Sequence, residues 1–496
     1  MSGKFSRGPD GQRRDPNKPL TSADYIRSGQ IPPRKKHRYQ KKRSPNPKFI
    51  LLCVLTLLLV VLLVCCGRLP GDAPEAPEET KKPDKGNAWF GSKETEAPTE
   101  APTQPPMEIT HTATISATGD VLMHLPVINS CYDSASGSYD FMEIFQYLDD
   151  YAAKADYAVA NLETTLAGSG NGYSYSGYPC FNCPDNIAKT LKDSGFDMLL
   201  TANNHCYDTN TVGLSRTLEV ATEHGLDTLG TQSGAEDADY TVQIINGIQV
   251  GMMCYSYATS DSYPDRPSLN GILVRTEDTQ KVSYFDYDQL DLFYGNVASQ
   301  IADMEAAGAE AIVLYIHWGQ EYQLSPNDSQ TTIAQKLCDL GVDVIVGGHP
   351  HVIQPEQLLT STVDDAHKTV CLYSMGNAIS NQQRQNMNLK SGHTEDGLLF
   401  SFTFARYTDG EVMLDSVGIL PTWVCMSSTN SGRDYRILPL DPAVTDWAAA
   451  YGVSASTAES AQASYDRTME LVGAGLSASQ DYLSAQREAK LATTVE

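Results

Sequence analysis

Five apolar, strand-like runs in this chain each stop at residues able to hold a metal ion. They end in Thr118-Gly119-Asp120, Ala160-Asn161-Leu162-Glu163, Asn203-Asn204-His205, His317-Trp318-Gly319 and Gly348-His349-Pro350-His351. The carboxyl ends of strands in an α/β sheet open on one shared crevice, so residues far apart in sequence are brought together. Histidine, carboxylate and asparagine are donors that divalent ions take. A lone histidine is more often an ordinary core or surface residue; the weight comes from five strand ends at once.

The runs belong to a repeated βα pattern. Ala113–Ala117 leads into Asp120, and Tyr157–Ala160 into Glu163, with helical spacing across Phe141–Lys154 between them. Asn186–Ser194 reads as a helix closed by Gly195, before Met198–Ala202. Ile301–Ala307 with Gly308 precedes Ala311–Ile316, and Thr332–Leu340 with Gly341 precedes Val344–Val346. Leu191–Asp197 and Leu337–Asp343 share one arrangement: a helix end, a left-handed glycine, an apolar residue and an aspartate before the strand. Such alternation predicts βαβ units and a largely parallel sheet. Beyond Val370–Ser374, Leu398–Ala405 and Val412–Ile419 alternate like antiparallel strands around Thr408-Asp409-Gly410. The expected core is therefore mixed. After Leu440 the chain is rich in Ala, Ser, Glu and Gln, and a helical tail is expected over 441–496.

The amino-terminal part is organised differently. Residues 1–48 carry fourteen Lys/Arg against three Asp/Glu, in a chain of net charge -25. A basic segment suggests nucleic acid, but the uncharged run Phe49–Cys66 that follows overrides that reading. Eighteen residues at about 1.5 Å each reach roughly 27 Å, enough for a bilayer core. The basic stretch is too long for a secretory leader, and Cys-Cys-Gly-Arg makes a poor cleavage site. A single membrane helix over 49–66 is expected, with 1–48 cytoplasmic and everything after Cys66 outside. That cleaved leader is the competing reading; a lipid-attachment cysteine at Cys66 is conceivable too, but large residues precede it. Residues 67–108, rich in Pro, Glu, Thr and Ala, read as a disordered tether, and 109–440 as the folded domain. Its eight cysteines permit disulfides without demanding them. For Cys180-Phe-Asn-Cys183 a local bridge or no bond is favoured over a catalytic dithiol.

At the candidate site, a proline between His349 and His351 is expected to keep the backbone extended, so that both imidazoles share a face. Asp120 and Glu163 supply charge for two divalent ions, one carboxylate bridging. Such a pair polarises a phosphoryl oxygen and activates a water. Asn204 ligates through its amide oxygen, and His205 faces the substrate as a general acid. Other chemistries lack their motifs: there is no Gly-x-Ser-x-Gly, no phosphate-binding Gly-x-x-x-x-Gly-Lys and no His-Glu-x-x-His. Gly172-Tyr-Ser-Tyr-Ser-Gly-Tyr178 is either a ligand-stacking segment or a tyrosine-decorated surface loop.

Together, Gly119-Asp120-Val-Leu, Asn161-Leu-Glu163, Ala202-Asn-Asn-His205 with Asp208, His317-Trp-Gly-Gln-Glu321-Tyr322, Gly348-His-Pro-His351-Val-Ile-Gln354 and Tyr373-Ser-Met-Gly376-Asn377 resemble the CapA family. These are capsule and poly-γ-glutamate synthesis accessory proteins, distantly related to calcineurin-like metallophosphoesterases. The resemblance covers roughly Ile109–Leu440. It implies an α/β fold, a four-layer αββα sandwich, here preceded by the single transmembrane helix and followed by the short helical tail. It implies metal ligation by Asp120, Glu163, Asn204, His317, His349 and His351, with His205 and Asp208 catalytic, and divalent Mn, Zn or Fe as cofactor. It further implies work beside an integral-membrane polymer synthase or export complex on an anionic polymer, at the membrane and without nucleic acid. The alternative is a metal-dependent hydrolase acting on a cell-envelope substrate. One departure stands out: the phosphoesterase Asp-x-His is Asp120-Val-Leu122 here, with the next histidine at His124. One ligand is then missing or supplied differently, a departure typical of CapA proteins.

Overall fold

The computed structural model describes residues 106–494 apart from 171, 235–236, 260–265, 388 and 430–431. The expected membrane segment Phe49–Cys66 and most of the tether lie outside the described residues. Among the described residues no helix is long and apolar enough to cross a membrane.

Two sheets form the core. The first contains β1 (Ile109–Val121), β2 (Tyr157–Leu162), β3 (Met198–Leu200) and β4 (Asp227–Leu229), which run parallel. The second contains β5 (Tyr240–Ile245), β6 (Ile248–Ala258), β7 (Tyr284–Asp286), β8 (Ala311–His317), β9 (Val344–Gly348), β10 (Ile353–Thr360) and β11 (Lys368–Met375). Its order is β7-β6-β8-β9-β11-β10, with β5 beside β6, and only β5 and β10 run antiparallel to their neighbours. The chain then returns to the first sheet through β12 (Asn377–Ile379), β13 (Asp396–Tyr407), β14 (Val412–Thr429) and β15 (Gly432–Pro439). That sheet reads β15-β14-β13-β1-β2-β3-β4, with β12 against β1. β13 and β14 pair antiparallel across the turn at 408–410.

Side-chain parity explains the layering. Val159 of β2 and Ala311, Val313 and Tyr315 of β8 lie in the core shared by the two sheets. Their alternates point the other way, Ala158 and Ala160 toward one outer layer and Ile312, Leu314 and Ile316 toward the other. The first outer layer holds α1 (Leu125–Ser130), α2 (Asn186–Asp193) and α3 (Asn210–Glu223); the second holds α4 (Leu290–Ala306) and α5 (Asp328–Asp339). Strands buried on both faces read as continuous apolar runs, which is how these appear in the sequence. Gly195 and Gly341 take the left-handed conformation after α2 and α5, at φ +92° and +94°. The aspartates that follow tie strands together: Asp197 accepts from the Ala158 amide at 3.0 Å, and Asp343 from the Ile312 amide at 2.7 Å.

Three elements depart from expectation. Phe141–Lys154 is not one helix but two single turns, Met142–Phe145 and Asp149–Ala152, neither with a side-chain cap. The bend buries Phe141, Phe145 and Leu148 together, and the Tyr147 hydroxyl is tied to the Tyr451 carbonyl at 3.1 Å. Strands β5 and β6 are not foreseen, because Ile248–Ala258 mixes Gly, Met and Ser among its apolar residues and ends in no ligand. The expected helical tail is present, but it is longer and more deeply packed than a short tail. After the short α6 (Trp447–Tyr451), α7 (Ala455–Leu491) places Val472, Leu476 and Leu483 in the inter-sheet core.

Glu356 on β10 is buried under α7, where Ser479 donates to its Oε1 while Oε2 has no partner among the described residues. Burial pushes its carboxyl up to about 7, against an ordinary 4.5, with the Ser479 bond opposing. A raised folded-state value means stability present below pH 4.5 that is lost as pH rises through 7. We expect Glu356→Gln to remove that loss, recovering on the order of 3 kcal/mol at pH 8. Denaturant midpoints of both proteins at pH 5 and pH 8 check this; equal pH sensitivity would exonerate Glu356.

Candidate metal centre

At one rim of the sandwich the strand ends of both sheets converge. Asp120 ends β1, Glu163 follows β2, and Asn204 and His205 lie in the turn after β3. His317 ends β8, and His349 and His351 follow β9. None of the seven is more than 5% exposed. Asp120, Glu163 and His351 form one triad of converging ligand atoms, and Glu163, His317 and His349 a second, each within 4.8 Å. Glu163 belongs to both. The Asn204 amide oxygen lies 2.8 Å from His317 Nε2, beside the second triad.

His349 and His351 reach the site by a route other than the extended backbone expected. Both have positive φ, +94° and +56°, uncommon for residues with a β-carbon and costing roughly 1–3 kcal/mol each. The turn is held by the Tyr322 amide donating to the Pro350 carbonyl at 2.8 Å and by Asn377 Nδ2 donating to the His351 carbonyl at 3.2 Å. The rings still sit 5.9 Å apart. Glycine before them is obligatory on space: a β-carbon on Gly347 would lie 2.0 Å from the Tyr373 carbonyl oxygen.

Burial governs the electrostatics. It raises the Glu163 carboxyl well above its ordinary value, with the Asp120 charge adding to the effect. For Asp120 burial works upward too, yet the His351 hydrogen bond and charge prevail and the carboxyl falls below its usual value. For His351 burial is the largest single effect and works downward, but the Asp120 bond, at 2.9 Å, and the Asp120 and Glu321 charges together raise it. Burial lowers His317 to about 3 and His349 well below 6.5, so both imidazoles are neutral and able to ligate. His317 Nε2 lies 3.4 Å from Glu163 Oε1, within ion-pair distance, but a neutral ring makes no ion pair.

These residues fit a divalent ion. Both Glu163 oxygens, His317 Nδ1 and His349 Nδ1 are buried without a hydrogen-bond partner among the described residues. A buried unpartnered carboxylate beside a second carboxylate is costly, and a cation coordinated by these atoms removes that cost. The mixed imidazole and carboxylate set suits Mn, Zn or Fe. Bound there, such an ion supplies Lewis acidity and lowers the pKa of a bound water.

His205 and Asp208 stand beside the triads. His205 Nδ1 is 2.7 Å from Asp208 Oδ2, and Asp208 also accepts from the Phe181 amide at 2.6 Å and from Asn270 Nδ2 at 2.9 Å. A carboxylate so held fixes the imidazole's orientation. His124 joins neither triad and so does not replace the absent Asp-x-His ligand. The eight cysteines of the domain are free thiols, Cys180 and Cys183 included.

Several supporting residues went unassigned in the sequence. Asn203 Nδ2 donates to Asn161 Oδ1 at 3.2 Å, and Asn161 Nδ2 to Asp120 Oδ1 at 2.7 Å, a relay that orients the first carboxylate. Trp318 donates to the Tyr373 carbonyl at 2.9 Å, locking the strand end that carries His317. Tyr257, at the end of the unforeseen β6, packs on His349 with centroids 4.7 Å apart. Asn161, Asn203 and Trp318 sit inside the quoted motifs; Tyr257 has no motif to mark it.

The bacterial capsule synthesis protein family PGA_cap matches residues 114–382. The PGA biosynthesis protein CapA of Bacillus subtilis (strain 168) is 26% identical over 269 residues, 54% of this chain and 63% of that protein. The capsule biosynthesis protein CapA of Bacillus anthracis is 24% identical over 348 residues, 69% of this chain and 71% of that protein. The chain thus spans under two thirds of the first of these relatives. A Staphylococcus aureus crystal structure, provisionally described as a 5′-nucleotidase, is similar over 62% of this chain and 54% of its own, at 12% identity and TM-score 0.37, too slight a likeness to argue from. Because the family match covers more than half of the sequence, this chain belongs to the bacterial capsule synthesis protein family PGA_cap.

Proposed function

We propose that this protein is a membrane-anchored, extracellular accessory factor for making or exporting a capsule-like anionic polymer of the poly-γ-glutamate type. In this reading the chain works beside an integral-membrane synthase and uses a metal centre of metallophosphoesterase type. The family match over 114–382 is the observation that carries it. The apolar run Phe49–Cys66 and the tether after it fit a domain held outside the membrane. The net charge of -25 disfavours simple electrostatic retention of a polyanion, so bound cations are the natural bridge. A deletion strain complemented with wild type or with Asp120→Ala/His349→Ala tests this. We expect surface polymer to fall in the deletion strain and to return only with wild type. Polymer unchanged by the deletion would sink the proposal, and full rescue by the double variant would reduce the metal centre to scaffolding.

A second reading, a metal-dependent hydrolase acting on an envelope phosphoester or related bond, is favoured by one feature. The oriented His205–Asp208 pair next to the triads is placed as a general acid would be. Hydrolysis can be a step of the polymer role rather than its rival.

A further inference from the structure

A groove of about 440 Å³ opens beside the metal centre, lined by His124, Leu125, Pro126 and the stretch Tyr175–Cys180. One side chain joins it to the site: the Phe181 ring meets His124 edge-on at 5.1 Å and His205 at 4.7 Å. The loop forming its wall is held at several points. Ser176 and Asn182 exchange backbone hydrogen bonds at 3.0 Å, and Ser176 Oγ donates to the Cys180 carbonyl at 2.7 Å. Asn270 Nδ2 reaches both the Pro179 carbonyl, at 2.7 Å, and Asp208 Oδ1. One side-chain amide thus couples the groove wall to the His205–Asp208 pair. On this braced loop Tyr178 is 78% exposed, an aromatic ring that stacks on no other ring among the described residues.

The lining selects a class of ligand. Among the described residues it contains no Lys, Arg, Asp or Glu, and burial lowers His124 to about 4, so none of these lining residues offers a charge to pair with. His124 Nδ1 lies 3.2 Å from the Leu122 carbonyl and 3.3 Å from the Asn381 amide, and one proton can satisfy only one of these contacts. Either way Nε2 remains, as an acceptor in one tautomer and a donor in the other. A secondary amide offers the matching N–H or C=O in both cases. Its plane and adjoining methylenes stack on a tyrosine ring, as flat or apolar groups do.

We propose that this groove is a subsite for the neutral, amide-linked backbone of a polymer strand, seating it on Tyr178 and His124 so that the strand runs on toward the metal centre. The carboxylates of a γ-glutamyl strand would then project to solvent or toward the bound ions. This rests on the polymer reading above and adds to it the place and the chemistry of contact.

The test is calorimetric titration of the purified full-length chain with a γ-linked glutamate oligomer. Tyr178→Ala should weaken binding about tenfold, Tyr178→Phe should hold within about twofold, and neither should change metal content or melting temperature. No binding to wild type, equal binding by Tyr178→Ala, or equal binding of a neutral glucan of similar length would each overturn the subsite. Failure of the polymer reading is scored separately, by surface polymer in the deletion strain. Polymer lost there with Tyr178→Ala binding unchanged removes the subsite and leaves the reading standing.

Discussion

Replacing Glu163 with glutamine is expected to abolish metal uptake at both triads at once. Glu163 is the residue common to them, so Glu163→Gln should leave only background metal after Mn²⁺ loading and desalting. His349→Ala and Asp120→Ala, each confined to one triad, should keep about half the wild-type content. Stability should move in opposite directions with and without the ion. In chelator, Glu163→Gln removes a buried carboxylate that has no hydrogen-bond partner among the described residues, for a gain of about 1–3 kcal/mol. In saturating metal, wild type gains about 2.7 kcal/mol at a hundredfold excess over Kd, and the variant gains none. Metal analysis and paired melting curves read both effects. A wild type that binds nothing, or a Glu163→Gln protein that binds as much as wild type, would remove the shared-ligand assignment.

Two glycines in α7, two residues apart, should respond oppositely to alanine. Within a helix, Gly→Ala ordinarily stabilises by about 1 kcal/mol. A β-carbon on Gly473 would meet only the Met469 methyl at 3.8 Å, so Gly473→Ala should show that gain. A β-carbon on Gly475 would lie 1.9 Å from the Glu356 carbonyl oxygen. Backbone on both sides leaves no flexible group to yield, so Gly475→Ala must lift the helix from β10, costing about 1–3 kcal/mol. Lifting it uncovers Leu476 and Leu483, and limited proteolysis should then release the tail. If both variants gain equally, the helix does not press on the sheet edge as described.

The metal ligands were legible because each ends an apolar run, and the end of a buried strand is where a polar residue needs a reason. Asp120, Glu163, His317, His349 and His351 can all be picked out without coordinates, and all five lie in the two triads. The reasoning about His349 and His351 reached the right destination by the wrong path. Proline was expected to keep the segment extended, whereas both histidines adopt positive φ. That conformation is imposed by contacts from Tyr322 to Pro350 and from Asn377 to His351, 28 and 26 residues apart in sequence, which local spacing cannot report. Tyr257 was invisible for the same kind of reason: its place against His349 depends on β6 lying next to β8.

By itself the sequence determined most of the strands buried on both faces, β6 excepted, with where they stop and which donors stand at the stops. It did so because burial leaves its mark residue by residue, in apolar runs closed by glycine and polar side chains. Only the tertiary structure decided that the donors come from two sheets meeting at one rim, and that Glu163 is shared between two triads. It also decided that the tail helix is part of the core rather than a surface addition. Those outcomes depend on distances between segments a hundred or more residues apart, such as Glu356 and Ser479, which neither residue's neighbours in sequence encode.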